Sequence, residues 1–397
     1  MSRSIRIFLV AAIAGAVGAV AVVASARSRS PARAGAAGAE LLRIREADIA
    51  FYARRVVADR QGALDRTRLG ALLLEQSRYT GDERALLRAE SLARESLALR
   101  TAHNAGAWRL LVSALLGQHR FTAALEASEQ LLAIDPDSPG ARATRGEILL
   151  ELGRYQAADS VFGSLAIRRN DPAVSPRYAR WLEIRGHGGE ARRLLEQSRD
   201  DATRGGASAD QLAWFDLRLG DLAFRYGKRV EALDHVERGL AVFPGDWRFL
   251  ALAARIELAR HRAKRAITLG DSSLALHLDP ATLATVGDAW LAEGDSAQAD
   301  SYFKALEGAS GTAPSGGFHR AWYLALLDHN QRVPMVLQAL TREITARPDA
   351  YGWDLLAWAR YRAGQIPAAR EAIDSALAIG TGDPLILGHA RAIREGQ

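Results

Sequence analysis

From residue 63 to about residue 384, short runs of apolar residues at helical spacing alternate with polar turns, and the pattern returns about every 34 residues. Trp108 and Leu111 are followed by Phe121, Ala124 and Leu125; Tyr155, Ala158 and Phe162 stand three and four apart; Trp353, Leu356 and Ala357 repeat the spacing. Intervals of three, four and seven put the apolar side chains on one face of a helix. Each copy holds two such stretches, with a Gly-containing turn between them (Gly117, Gly153, Gly227, Gly294, Gly364) and a Pro or Asp-Pro closing the second (Pro136, Pro172, Pro244). Pro ends a helix because it lacks an N–H and clashes with the preceding turn. The predicted unit is therefore a helix–turn–helix hairpin that cannot bury its apolar face alone.

Small residues recur where the two helices must meet: Gly146 with Ala158, Gly220 with Ala232, Gly287 with Ala299. On these residues and this period the chain resembles the tetratricopeptide repeat family over roughly residues 63 to 397. The resemblance implies an all-α fold, an α-solenoid wound as a right-handed superhelix of about nine hairpins. They start near Ala63, Ala105, Pro139, Pro172, Ala213, Trp247, Pro280, Gly317 and Ala350. Four copies depart from the pattern. The first has about seven extra residues around Tyr79–Asp82, and the fourth turns through Gly186-His187-Gly188-Gly189. The sixth is about two residues long, and the eighth carries Pro334 and Val336 where the family prefers an acid and Ala. Residues 384–397 read as a helix capping the C-terminal end of the 63–383 solenoid.

The N-terminus has a different character. After the basic Arg3 and Arg6, Ile7 to Ala24 are eighteen residues without a charge. Two readings stand. A cleaved export signal fits the Ala24-Ser25-Ala26 site and the Ala/Gly-rich core. An uncleaved anchor fits the length and the basic flank of Arg27, Arg29 and Arg33, and the balance favours it. Residues 27–39 read as a flexible basic linker, and residues 40–62 as an amphipathic helix whose Ile44, Ile49, Phe51, Tyr52 and Val56 cap the first hairpin. The expected location is a membrane-anchored or exported protein, its repeats on the extracytoplasmic side of a bacterial envelope.

The net charge of +6 raises the question of nucleic acid. Residues 1–60 hold ten of the 52 basic and four of the 46 acidic residues, leaving 42 of each in the repeats. The excess sits beside the membrane segment, where Arg meets anionic headgroups. A neutral array lacks the basic stripe that phosphate binding needs, so no nucleic-acid partner is expected.

No catalytic, cofactor or metal constellation stands out. There is no Cys, and no pair of the nine His has metal-binding spacing. Gly270-Asp271-Ser272-Ser273-Leu274 resembles the nucleophile block of certain lipases, but it lies within a predicted second helix and lacks an Asp-x-x-His partner. The expected function is a non-enzymatic scaffold for proteins of the cell envelope; the alternative is an obligate accessory subunit of an envelope enzyme or of a secretion, pilus or glycan assembly machine.

In the family, outward positions of the first helices line the concave surface. Here they include Arg109, Ser113, Glu147, Arg180 and Glu183, then Asp221, Phe224, Arg255, Asp288, Asp328, Asp354, Trp358 and Tyr361. The first half is mixed in sign. The second half, from Asp221 onward, collects carboxylates and aromatics and is the candidate groove for an Arg- or Lys-bearing protein segment. The alternative is ordinary solvated helix faces, with Trp358 in the core.

Overall fold

The computed structural model describes residues 31–310 and 319–396. Among them are twenty α-helices, one short 3-10 turn and no strand. Helix α1 (Pro31–Ala58) precedes nine hairpins. The first four are α2 (Ala63–Thr80) with α3 (Glu83–Leu99), α4 (Ala105–Gly117) with α5 (Phe121–Ile134), α6 (Pro139–Glu151) with α7 (Tyr155–Ser164), and α8 (Ser175–Ile184) with α9 (Gly188–Arg204). The fifth and sixth are α10 (Ala209–Arg225) with α11 (Arg229–Val242) and α12 (Trp247–Ala259) with α13 (Ala263–Leu274). Then come α14 (Pro280–Ala292) with α15 (Ser296–Ser310), α16 (His319–Asp328) with α17 (Val333–Ala346), and α18 (Ala350–Arg362) with α19 (Ile366–Leu377). Helix α20 (Pro384–Glu395) closes the stack and buries Ile386, Ala390 and Ile393. The chain is an α-solenoid.

Local chemistry sets the boundaries. Asn104, Ser138, Asp279 and Asp349 each cap a first helix, and Asp383 caps α20, by accepting from a backbone N–H of the opening turn. Pro139, Pro280 and Pro384 occupy the first turn, where a missing N–H costs nothing. Pro334 does the same in α17, so the eighth copy keeps its second helix, and Val336 is fully buried. The residue that reverses the chain inside each hairpin is left-handed: Gly153 at φ +70° and Gly186 at +82°, with His119, His261 and Asn330 at +56°, +59° and +55°. Two starts differ from the expected ones. The fourth hairpin begins at Ser175, after a 3-10 turn at Ala166–Arg168, and the fifth at Ala209, behind a Ser208/Gln211 capping box.

Within the hairpins, small residues make room for rings as well as for backbones. An ideal Cβ on Gly146 would lie 2.8 Å from the Phe162 ring, and one on Gly287 would lie 2.5 Å from Phe303. Gly220 permits the closer helix approach, with the Ala232 carbonyl 3.4 Å from such an atom. Ala158, Ala232 and Ala299 are fully buried.

The superhelix closes on itself, one turn resting on the next. Arg347, in the link before α18, donates to the Glu151 carbonyl (2.9 Å) and carboxylate (2.5 Å) at the tip of the third hairpin, 196 residues away. The Ala350 N–H donates to the Tyr155 hydroxyl at 2.6 Å, 195 residues away. At the fourth tip, Arg185 donates to the Ile379 carbonyl at 2.6 Å, 194 residues away. The first tip follows the same register, with Gly81 against His277. A near-constant offset means one mode of stacking: the tips of the first, third and fourth hairpins each sit on a link five and a half hairpins later. Backbones touch along this seam. A Cβ on Gly186 would stand 2.4 Å from the Gly380 carbonyl, and one on Gly153 would stand 2.6 Å from that of Pro348.

Helix α1 extends the seam. It packs on α2 and also crosses to α11 and α10 of the fifth hairpin; of the residues expected to cap the first hairpin, Ile49, Tyr52 and Val56 are half-buried, whereas Ile44 and Phe51 are exposed. Leu42 joins the cluster around Val236 and Phe243, and Arg45 pairs with Asp210 at 2.8 Å. Its N-terminal part corrects the expected linker: residues 31–39 are helical. Ala dominates this stretch and favours the helix, and Gly38 lets it approach the Val242 carbonyl, 2.1 Å from where a Cβ would stand. The anchor or signal expected at residues 1–26 lies outside the described residues. Among those described, no helix is long and apolar enough to cross a membrane.

Candidate functional site

Because the turns stack, the concave face becomes a half-open axial chamber of about 1190 Å³. Its wall combines first helices of different hairpins (Glu75, Arg78 and Tyr79 of α2, Glu147 of α6, Arg177 and Arg180 of α8, Trp214 and Arg218 of α10, Arg248 of α12, Tyr351 of α18) with Ser198 and Asp201 of the second helix α9. A second cavity of about 440 Å³ shares Arg78, Glu147 and Arg177 with the first and runs on past Ser113 to Trp247 and His277.

At the floor, the buried Glu183 carboxylate accepts from Arg180 (3.2 Å), Arg218 (3.3 Å) and Arg225. Arg225 also reaches Asp221 (3.1 Å) and Asp383 (3.0 Å). Asp383, the cap of α20, accepts the Tyr351 hydroxyl at 2.9 Å, and that hydroxyl accepts from Arg180 at 3.4 Å. The network thus ties the fourth, fifth and ninth hairpins together across the axis. Burial alone would raise the Glu183 carboxyl, but Arg180, Arg225 and Arg218 outweigh it and hold it below the usual carboxylate range. Asp221 behaves in the same way under Arg225, Arg218 and Arg255. Burial pushes the Tyr351 hydroxyl up to about 12.

A depressed folded value means that Glu183 stabilises the fold fully above its unfolded value of about 4.3 and loses that contribution as pH falls through the lower folded value. The difference in urea midpoint between the natural chain and Glu183→Gln should therefore be full at neutral pH and shrink below about pH 4. A difference that grows on acidification would contradict this assignment.

Every carboxylate of the chamber wall has an arginine partner: Glu75 and Asp210 share Arg45, Glu147 holds Arg177, Asp201 holds Arg204, and Asp221 and Asp383 share Arg225. Of the wall arginines, Arg248 pairs with Asp246 at 2.5 Å. Among the described residues Arg78 has no hydrogen-bond or ion-pair partner. Burial lowers its affinity for its proton, Glu75 is the chief opposing influence, and Arg177 and Arg248 add repulsion.

The eight groove residues expected from sequence fall into two groups. Asp221, Phe224 and Arg255 come together, with the Arg255 guanidinium 4.9 Å from the Phe224 ring centre and 3.6 Å from Asp221, and of the three Asp221 lines the chamber. The other five lie in the seventh to ninth hairpins. Asp288 faces His329 at 3.3 Å, and Asp328 accepts the Trp358 indole N–H at 2.9 Å. Trp358, only 8% exposed, stacks between Tyr361 and His389. Asp354, 2% exposed, is bound to His389 at 2.9 Å, and burial pushes its carboxyl up against the pull of that imidazole. Asp354 and Trp358 therefore offer no free surface to a ligand.

Sequence reasoning did not single out Arg78, Arg218 or Tyr351, which meet only through the stacking of distant turns. Ser272 and Ser273 lie inside α13, each hydroxyl donating to a backbone carbonyl (Thr268 at 2.8 Å, Trp247 at 2.9 Å). Among the described residues no cluster of His, Asp and Glu could hold a metal.

The tetratricopeptide repeat family model matches residues 115–180. No curated protein matches the sequence. Among solved structures, the chain is similar to the APC/C hetero-tetramer Cut9–Hcn1, with a TM-score of 0.47 and 16% identity over 83% of this chain and 63% of that one. It thus spans less than two thirds of that protein's length. It is also similar to the human IFIT1 dimer with PPP-AAAA (TM-score 0.44, 12% identity, 80% and 91% covered). A further likeness is PilW, a type IV pilus biogenesis factor (TM-score 0.34, 15% identity, 62% and 96% covered). The stretch from the end of α4 into α8 thus matches the tetratricopeptide repeat, and the described residues as a whole form an α-solenoid of nine helical hairpins.

Proposed function

We propose that the protein is a non-enzymatic scaffold that holds an extended segment of a partner protein along its axis, at the cell envelope. The carrying observation is that two neighbouring cavities share Arg78, Glu147 and Arg177 in their walls and are lined by helices of several hairpins. The space exceeds the usual range of small-molecule pockets, about 300–1,000 Å³, and is elongated across repeats, which suits a polypeptide chain. The envelope part of this reading rests on the sequence alone: the basic start and the eighteen apolar residues of Ile7 to Ala24.

In-cell photo-crosslinking separates this function from adhesion by the outer face. A photoreactive residue at Trp214, in the chamber wall, should give adducts to one defined segment of a partner. The same group at Val230, which is 70% exposed, should not. Adducts from position 230 with none from 214 would contradict the proposal. Removing residues 1–26 should release the protein from the membrane fraction.

A further inference from the structure

We infer that the segment held in the chamber bears carboxylates and that Arg78 is the group that takes one. This rests on the chamber being the binding site and adds the chemistry of its ligand. The wall is a ledger of matched charges with one left over. Each carboxylate facing the chamber already has an arginine partner, so a basic ligand would add its charge to carboxylates that are already neutralised. Among the described residues Arg78 has no hydrogen-bond or ion-pair partner: Glu75 attracts it from beyond ion-pair reach, Arg177 and Arg248 repel it, and its side chain stays exposed. It also lines both cavities, so any chain passing from one to the other goes by its guanidinium. A carboxylate there would be met by a planar fork of donors suited to two parallel hydrogen bonds.

Two occupants from the chain itself fit poorly. The thirty residues before α1 carry four arginines and no acid, the same sign as the unmatched charge, and residues 311–318 carry no charge. A nucleic acid fits less well than a peptide. Its phosphates follow one another without a break, whereas the wall interleaves Glu75 and Glu147 with its arginines. Spaced acids in a peptide match a wall of alternating sign.

The test uses the full-length protein and a displayed library of random twelve-residue peptides. Selected peptides should be enriched in Asp and Glu. Refitted with a photoreactive group, they should crosslink around Trp214 and Tyr79. Their Kd should rise about tenfold or more in Arg78→Gln, the loss expected for one charge-assisted bidentate contact, and should recover in part in Arg78→Lys. Since Arg78 has no hydrogen-bond or ion-pair partner among the described residues and is repelled by Arg177 and Arg248, the urea midpoint of Arg78→Gln should be no lower than that of the natural chain. Peptides that crosslink in the chamber but are basic or uncharged, or acidic peptides indifferent to Arg78→Gln, would overturn the inference and leave the chamber reading in place. No selected peptide, or adducts only outside the chamber, would overturn both. A ten-nucleotide single-stranded RNA that binds more tightly than the selected peptides, and loses that binding in Arg78→Gln, would assign the site to nucleic acid instead.

Discussion

Glu183→Ala should cost about 3–5 kcal/mol of stability, because removing one partner of a buried ion cluster strands the charges left behind. Glu183 is 3% exposed and is the shared acceptor of Arg180, Arg218 and Arg225. Arg225 keeps Asp221 and Asp383, and Arg180 keeps the Tyr351 hydroxyl, but Arg218 is left with only Asp221 at 3.8 Å. Burial already lowers the Arg218 guanidinium's hold on its proton, with Glu183 the chief opposing influence. The loss should appear as a lower urea midpoint and as faster hydrogen exchange in α8 and α10, while α14 and α15 stay protected. The exposed pair Arg394–Asp374 provides the contrast. Both side chains are more than half exposed, and Asp374→Ala should change stability by less than about 1 kcal/mol. Equal effects at the two sites would refute the buried-network reading.

Asp349→Ala should cost about 3 kcal/mol or more, from two sources. Asp349 is 2% exposed and caps α18 by accepting from the Tyr351 and Gly352 N–H groups, and loss of a cap costs about 1 kcal/mol. It also accepts from Arg320 at 2.7 Å and Arg347 at 3.1 Å, so the remainder comes from buried charge left short of a partner. Arg347 links this site to the seam, since the same guanidinium holds Glu151 and lies 4.3 Å from the Phe121 ring centre. Exchange should therefore accelerate at the third hairpin tip, 196 residues away in sequence, as well as in α18. Asp349→Asn keeps an acceptor for the cap and should recover about 1 kcal/mol. A loss confined to α18 would mean that the seam does not depend on this carboxylate.

The hairpins were legible because their determinants are local. Apolar spacing, Asp and Asn caps and first-turn prolines act within a dozen residues, and the family resemblance adds the stacking order. What was not legible depends on how far each hairpin rotates against the next. That small angle, summed over five and a half hairpins, decides whether distant turns touch, and no single residue states it. Glu147, Arg180 and Glu183 were visible as inner positions of mixed sign, yet only closure turns them into a chamber wall and floor. Asp354 was visible as an acidic inner position, but its partner His389 sits on the final helix, and the pairing removes it from the surface. Gly- and Ala-rich residues 31–39 read as a tether because nothing local shows the Val242 carbonyl against which Gly38 packs.

Closure of the superhelix is what makes the chamber, and a spin-label distance tests it directly. The chain contains no Cys, so Arg154→Cys with Pro348→Cys places two labels without further substitution. Both side chains are exposed, and the backbones meet beside them at Gly153 and Pro348. Double electron–electron resonance should give a single narrow distribution below about 20 Å, the length of one thirteen-residue helix at 1.5 Å per residue. A distribution centred beyond about 40 Å, two such helix lengths, would mean an open superhelix, with no turn-on-turn seam and no axial chamber.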